Sequence, residues 1–232
     1  MIEVKNLSLK TRDKVILDNI NFNIKKNEIV GLFGHNAAGK STLQRLIANE
    51  DVIFEGDVYI EGKRNIYGAV SDCVLITEKL LLKNNASIKS NLNHINSCEQ
   101  LDINYVYDKL SEFKIDVNVM YGSLSRGSKQ IVNIIFCLAK KASLYLFDEP
   151  LSSIDVFNRK LIADLILDIQ EKGGTVIVTT HMINEFQMLF DRVIYLNEGK
   201  IEYDITVENI FKEGYKNIED FVIDKFGGDH DE

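Results

Sequence analysis

The stretch that most restricts how this chain can fold is Gly34-His35-Asn36-Ala37-Ala38-Gly39-Lys40-Ser41-Thr42. It follows the unbroken apolar run Ile29 to Phe33 and precedes Leu43, Leu46 and Ile47 at helical spacing. A short apolar run behind a polar turn reads as a buried strand, and apolar steps of three and four read as a helix, so the glycines fall where a strand turns into a helix. In that setting the backbone N–H groups of the loop can wrap an anion, and glycine is needed because the backbone itself makes the approach. The full pattern G-x-x-x-x-G-K-[ST] is a phosphate loop: Lys40 reaches the β and γ phosphates of a nucleoside triphosphate and Ser41 ligates Mg²⁺. The plain alternative is a glycine turn that closes a strand.

Leu144 to Phe147 is a second apolar run, ended by Asp148-Glu149-Pro150. Ligands gather at the C-terminal ends of strands in α/β sheets, so two carboxylates there fit a metal and water site. Asp148 would hold Mg²⁺ as the partner of the phosphate loop, and Glu149 would polarise an attacking water as general base. Read by itself the triplet is also compatible with a turn leaving a core strand.

The rest of the chain fits one α/β unit. Ile20, Phe22 and Ile24 alternate and then meet the polar turn Lys25 to Glu28, which reads as a hairpin feeding the strand Ile29 to Phe33. Val58 to Ile60 reads as a further strand of an N-terminal β layer. From about 80 to 141 strand character is lost, and Ile103, Val106, Leu110 and Phe113, then Ile131, Ile134, Ile135 and Leu138, repeat at helical steps. A helix with Leu161, Leu165 and Ile169 inward, stopped by Gly173-Gly174, leads into a strand from Thr175 to Thr180; strand, helix, strand implies a parallel sheet. Arg192 to Leu196 and Lys200 to Tyr203 flank a glycine turn as a late hairpin, and a weak helical pattern then ends in an acidic tail. The domain reading is thus 1–205 with a helical subdomain at about 80–141, followed by a helical extension and acidic tail at 206–232.

Composition sets outer bounds. The 27 Lys and Arg against 35 Asp and Glu leave a net charge of −8, which argues against a surface built for nucleic acid phosphates or an anionic bilayer. Cys73, Cys98 and Cys137 form no ligand-spaced cluster and are expected as buried thiols. The N-terminus carries charge from the third residue and lacks the apolar stretch of a leader, and no apolar run approaches the length of a membrane span.

Between the two apolar runs lies Leu124-Ser125-Arg126-Gly127-Ser128-Lys129-Gln130, ending 18 residues before Asp148. In isolation it is a helix start capped by Ser125. With the phosphate loop and Asp148-Glu149 in this order and spacing, residues 2 to 205 resemble the ATP-binding cassette (ABC) family, specifically the nucleotide-binding subunit of an ABC transporter. The resemblance implies a P-loop NTPase of ABC type, α/β, with an N-terminal antiparallel β layer and a helical subdomain inserted in the parallel-sheet core. It implies that Ser125 and Gly127 bind the γ-phosphate of ATP held by a second ABC subunit, in a homodimer or heterodimer. It also makes Ser152 to Asp155 the loop linking the two sites, and His181 the switch histidine that helps align Glu149; capping of the next helix is the simpler use of Asp155. Arg126 and Ser128 depart from the family pattern.

Two further positions depart. The adenine-stacking aromatic of the family falls here near Thr11, with Arg12 beside it, so the base is held by weaker contacts or by an arginine over its face. No glutamine lies between Gly68 and Glu99, and the family's Mg²⁺-sensing residue is assigned to Asp72; the other reading of Asp72 is a surface turn. The resemblance implies ATP and Mg²⁺ as ligands, an integral membrane permease on a separate chain, no nucleic acid partner, and a cytoplasmic site on the inner face of the membrane. The LSRGSKQ variant and the lack of a C-terminal regulatory domain look more like small bacterial exporter subunits for peptides or antibiotic-like compounds than like sugar importers. The alternatives are a degenerate ATP-binding gate with weak hydrolysis and a soluble permease-free ABC ATPase.

Overall fold

The computed structural model describes residues 1–12, 14–49, 54–65, 72–77 and 82–226. In chain order it contains β1 (Ile2–Lys10), β2 (Val15–Ile24), β3 (Ile29–Phe33), α1 (Lys40–Ile47), β4 (Glu55–Ile60), β5 (Lys63–Arg64) and β6 (Cys73–Ile76). There follow α2 (Ile88–Asn96), α3 (Ile103–Glu112), α4 (Arg126–Leu138), β7 (Leu144–Asp148), α5 (Val156–Glu171), β8 (Thr175–Thr179) and α6 (Ile183–Phe186). The chain closes with β9 (Arg192–Asn197), β10 (Lys200–Thr206), α7 (Val207–Lys212) and α8 (Ile218–Phe226).

Two sheets form. A smaller antiparallel one runs β2-β1-β4-β5, and a larger one runs β10-β9-β3-β8-β7-β6, in which β9, β3, β8, β7 and β6 are parallel and β10 returns antiparallel to β9. Alternation along the central strands divides the core. Val30, Leu32, Leu144 and Leu146 face α1 and the small sheet, while Ile29, Phe33, Tyr145 and Phe147 face the helices on the other side. Both faces of the large sheet are covered, which is why its strands are continuous apolar runs.

The expected hairpin ahead of β3 is corrected. Ile20, Phe22 and Ile24 are buried at period two, but β2 pairs with β1, and the Lys25 to Glu28 turn carries the chain from the small sheet into the large one, where β3 lies between β8 and β9. The buried stripe of α5 is Ile162, Leu165, Ile166 and Ile169, one position round from Leu161, which is half-buried. Of the cysteines only Cys137 is buried; Cys73 is half-buried and Cys98 exposed, at the end of a helix rather than within the core. The late hairpin forms as expected, with Gly199 at φ +75° in its turn. Beyond it, α7 and α8 pack back on the sheet through Val207, Ile210, Ile218 and Phe221; the tail at 227–232 lies outside the described residues.

Candidate nucleotide site

The parallel pairing of β3, β8 and β7 brings three loops to one sheet end: the loop after Phe33, the Asp148-Glu149 turn, and the segment from Thr180 to His181. In the first loop Gly34 has φ +149°, and a side chain there would meet the Leu196 carbonyl oxygen at 2.0 Å. Gly39, at φ +107°, caps α1 with no side-chain hydrogen bond, and no acidic residue sits in the first turn. The helices α2, α3, α4, α5 and α7 are capped instead by Ser87, Asp102, Ser125, Asp155 and Thr206. Uncapped N–H groups at the start of α1 therefore face the cleft, and with the helix dipole they favour an anion.

Lys40 is only 8% exposed and curls back so that its Nζ donates to the carbonyls of Gly34 at 2.6 Å and His35 at 3.0 Å. Burial pulls its pKa down, opposed by the nearby Glu149 and Asp148 carboxylates. Ser41 Oγ donates to Asp148 Oδ1 at 3.0 Å, and Thr179 Oγ1 donates to the same oxygen at 2.8 Å. Thus Ser41 and Asp148, 107 residues apart in sequence, present adjacent hard oxygen donors of the kind Mg²⁺ prefers. The site fits that ion and a phosphate chain: an uncapped helix end, an amine within the loop, and paired oxygens beside it.

Glu149 stands in the left-handed region at φ +51°, an uncommon conformation held by its N–H, which donates to Thr179 O at 3.1 Å and Thr179 Oγ1 at 3.2 Å. His181 N donates to Glu149 Oε2 at 3.4 Å, and His181 Nε2 lies 3.3 Å from Oε1. Oε1 is buried beside the His181 ring and takes no well-aligned hydrogen bond, which leaves an unpaired acceptor in the site. Burial pushes the Glu149 carboxyl above its ordinary range, while His181 and then Lys40 oppose the rise. A cleft of about 460 Å³ joins these groups, lined by Lys40, Ser41, Thr42, Asp148, Glu149 and His181, with Asn36, Ala37 and Gly39 from the loop and Lys14 and Ile16 at its outer end.

Not every expected residue arrives there. Asp72 is corrected: its carboxylate accepts from Ser143 N at 2.8 Å and Ser143 Oγ at 2.5 Å. The register Cys73 opposite Leu144 and Ile76 opposite Phe147 puts it at the end of β6 and β7 away from Asp148. Four strand residues at about 3.3 Å each separate the two ends, so Asp72 is the surface turn residue. Thr11 and Arg12 do not line the cleft either, because Thr11 closes the β1–β2 turn on Lys14 through bonds of 2.8 and 3.0 Å. Ser125 and Gly127 likewise lie outside it: the Ser125 Oγ accepts from Ser128 N at 3.1 Å as the cap of α4, and Gly127 lies against the Ser153 carbonyl. Asp155 caps α5 by accepting from Phe157 N and Asn158 N, both at 3.1 Å.

The sequence reading missed a supporting set. Gln44 on α1, fully buried, donates to Phe147 O at 3.2 Å, and Gln130 on α4 donates to Glu149 O at 3.1 Å and Pro150 O at 2.9 Å. With Thr179 they fix the turn that carries the two carboxylates. The available signal was a polar side chain on an otherwise apolar helix face, which only a paired backbone can satisfy.

Among known proteins, residues 17–152 match the ABC transporter family. The chain belongs to the ABC transporter family. It is 32% identical over 218 residues, 90% of this chain and 79% of the relative, to an uncharacterized ABC transporter ATP-binding protein of Methanocaldococcus jannaschii. It is 30% identical over 87% of its length to another from Bacillus subtilis, covering 95% of that protein. The arabinose import ATP-binding protein of Rhizobium johnstonii is 29% identical over 86% of this chain, which spans 43% of that protein. Among solved structures, an ATP-binding subunit of an ABC transporter superposes with a TM-score of 0.85 over 97% of this chain and 98% of that one, at 22% identity. A dimeric bacterial ABC transporter cassette superposes at 0.77 with 26% identity, over 89% of this chain and 99% of that one. The α/β P-loop architecture expected from the sequence is that of an ABC cassette.

Proposed function

We propose that this chain is the ATP-binding and ATP-hydrolysing subunit of a membrane ABC transporter. The observation that carries the reading is the meeting, at one sheet end, of Ser41 with Asp148 and of Glu149 with His181 beside the buried Lys40. The loop Gly34 to Thr42 holds the triphosphate by its N–H groups and by Lys40. Ser41 and Asp148 hold Mg²⁺, which when bound neutralises charge on the phosphate oxygens. Glu149, whose Oε1 lacks a hydrogen bond, orients and deprotonates the attacking water, and His181 fixes that carboxylate. Ser125 and Gly127, outside the cleft of their own chain, serve the cleft of a second subunit. A relative solved as a dimer in a post-hydrolysis state with ADP and phosphate supports both hydrolysis and pairing.

Among the described residues no helix is long and apolar enough to cross a membrane, and we assign the crossing to a permease on a separate chain, with this subunit at its cytoplasmic face. The export reading rests on the LSRGSKQ variant; the relatives with printed transport roles are importers of arabinose, xylose and ribose, of which this chain spans 43 to 45%. Purification from its own membranes in mild detergent tests the assignment. A stoichiometric integral membrane partner, with Mg²⁺-dependent ATP hydrolysis lost in Lys40→Ala, is expected. Recovery without such a partner would refute the transporter role, and undiminished nucleotide affinity in Lys40→Ala would refute the site.

A further inference from the structure

The C-terminal helix α8 is placed against the two loops that the ATPase reading uses most. Phe226, its last residue, stacks flat on Tyr195 with 6° between the rings. Tyr195 is the β9 partner of Phe33, the residue just before Gly34, and its ring meets the His35 imidazole edge-on at 6.2 Å and 89°. A line of rings therefore runs from the end of α8 to the second residue of the phosphate loop. In the first turn of the helix, Glu219 Oε2 accepts from Asn184 Nδ2 at 2.5 Å, and Asn184 lies three residues beyond His181. Phe221 anchors the helix from behind, its ring edge-on to Tyr203 at 5.7 Å and Tyr215 at 5.3 Å.

The helix also packs against α6, and Phe186, Ile183, Phe221 and Val222 share one hydrophobic cluster. An open groove of about 270 Å³ runs between Val222, Ile223 and Phe226 of α8 and residues of the segments Phe33 to Asn36 and Thr180 to Ile183. Beside it, directional contacts fix which residues of the helix and the loops stay together. Here those are the ring stack on the phosphate-loop side and the amide–carboxylate bond on the His181 side.

We propose that α8 is a positioning element for nucleotide turnover, with Phe226 setting the phosphate loop through Tyr195 and Glu219 setting His181 through Asn184. The inference rests on the ATPase reading of the same site. It differs from a merely structural role because the two contacts act on different kinetic quantities. Loss of the ring contact loosens nucleotide binding and raises KM, whereas loss of the Glu219 bond frees His181 from Glu149 and lowers kcat.

The test is steady-state ATPase kinetics on the full chain. Phe226→Ala is expected to raise KM roughly two- to tenfold, the worth of one aromatic pair, with kcat little changed. Phe226→Tyr is expected to restore it, and Phe226→Leu, which keeps apolar bulk without a ring, covers the case in which the alanine variant fails to fold. Glu219→Ala, at an exposed bond, is expected to lower kcat about three- to tenfold at unchanged KM. Ile210→Val, at a buried position of α7, serves as the control that lowers the melting temperature and moves neither constant. Should Phe226→Leu and Glu219→Ala turn over ATP with unaltered KM and kcat, α8 has no positioning role and the ATPase reading stands. If the wild-type chain hydrolyses no ATP, both fall.

Discussion

Replacing Gly34 by alanine probes whether the loop backbone itself is the binding surface. The added methyl would lie 2.0 Å from the Leu196 carbonyl oxygen, whereas a carbon–oxygen contact settles near about 3.3 Å. The loop must therefore move by roughly 1.3 Å. Leu196 cannot yield freely, because it belongs to β9, which is paired along β3 up to Phe33. Overpacking of this kind costs about 1–3 kcal/mol, and a side chain at φ +149° adds about 1 kcal/mol more. At 2–4 °C per kcal/mol for a chain of this size, the melting temperature should fall by about 5–15 °C. A displacement near 1 Å at the phosphates should lower turnover on the order of a hundredfold and weaken nucleotide binding with it. The companion change has the opposite sign: Ala37 sits at φ +63°, and Ala37→Gly relieves about 1–2 kcal/mol of left-handed strain against about 0.4–1 kcal/mol of unfolded-chain entropy. Thermal melts and titration with a fluorescent ATP analogue read both effects. A Gly34→Ala protein that melts with the wild type and binds the analogue equally well would refute the backbone cradle.

Other outcomes follow from the same site. Because burial raises the Glu149 pKa, kcat/KM should fall with decreasing pH in a limb above the ordinary carboxylate value of 4.5, and His181→Ala, by removing the largest opposing influence, should move that limb to higher pH; a pH–rate profile checks this. The same shift means that ionising Glu149 costs stability between its unfolded and folded pKa, so Glu149→Gln should melt higher than wild type at neutral pH, with the gap closing below about pH 4.5. Asp72→Ala should leave the Mg²⁺ dependence of turnover unchanged and lower stability by about 1 kcal/mol through the lost Ser143 bonds, as magnesium titration and melts would show.

The parts legible in sequence were those whose chemistry needs neighbouring residues. The phosphate loop between strand and helix, the acidic pair ending β7 and the histidine after β8 all sit at ends of apolar runs, and strand ends in a parallel sheet converge. Asp72 failed because β6 is four residues long and has no readable period; only its pairing with β7 shows which end of the strand Asp72 occupies. Thr11 failed through turn chemistry, since its bonds to Lys14 fold it away and leave Lys14 and Ile16 along the cleft. The β2–β3 turn looked like a hairpin because local alternation says nothing about which sheet a strand joins. Gln44, Gln130 and Thr179 could not be singled out, as their partners are backbone and carboxylate groups up to 133 residues away.

The single chain brings Lys40, Ser41, Asp148, Glu149 and His181 together and leaves Ser125 and Gly127 elsewhere, so completion of the site by a second subunit is the point on which the transporter ATPase reading turns. Sedimentation of Glu149→Gln with ATP and Mg²⁺ addresses it directly. A nucleotide-dependent dimer that Ser125→Arg abolishes, while ATP still binds the monomer, is the expected result. A Glu149→Gln protein that binds ATP and stays monomeric at every concentration would contradict a self-paired site.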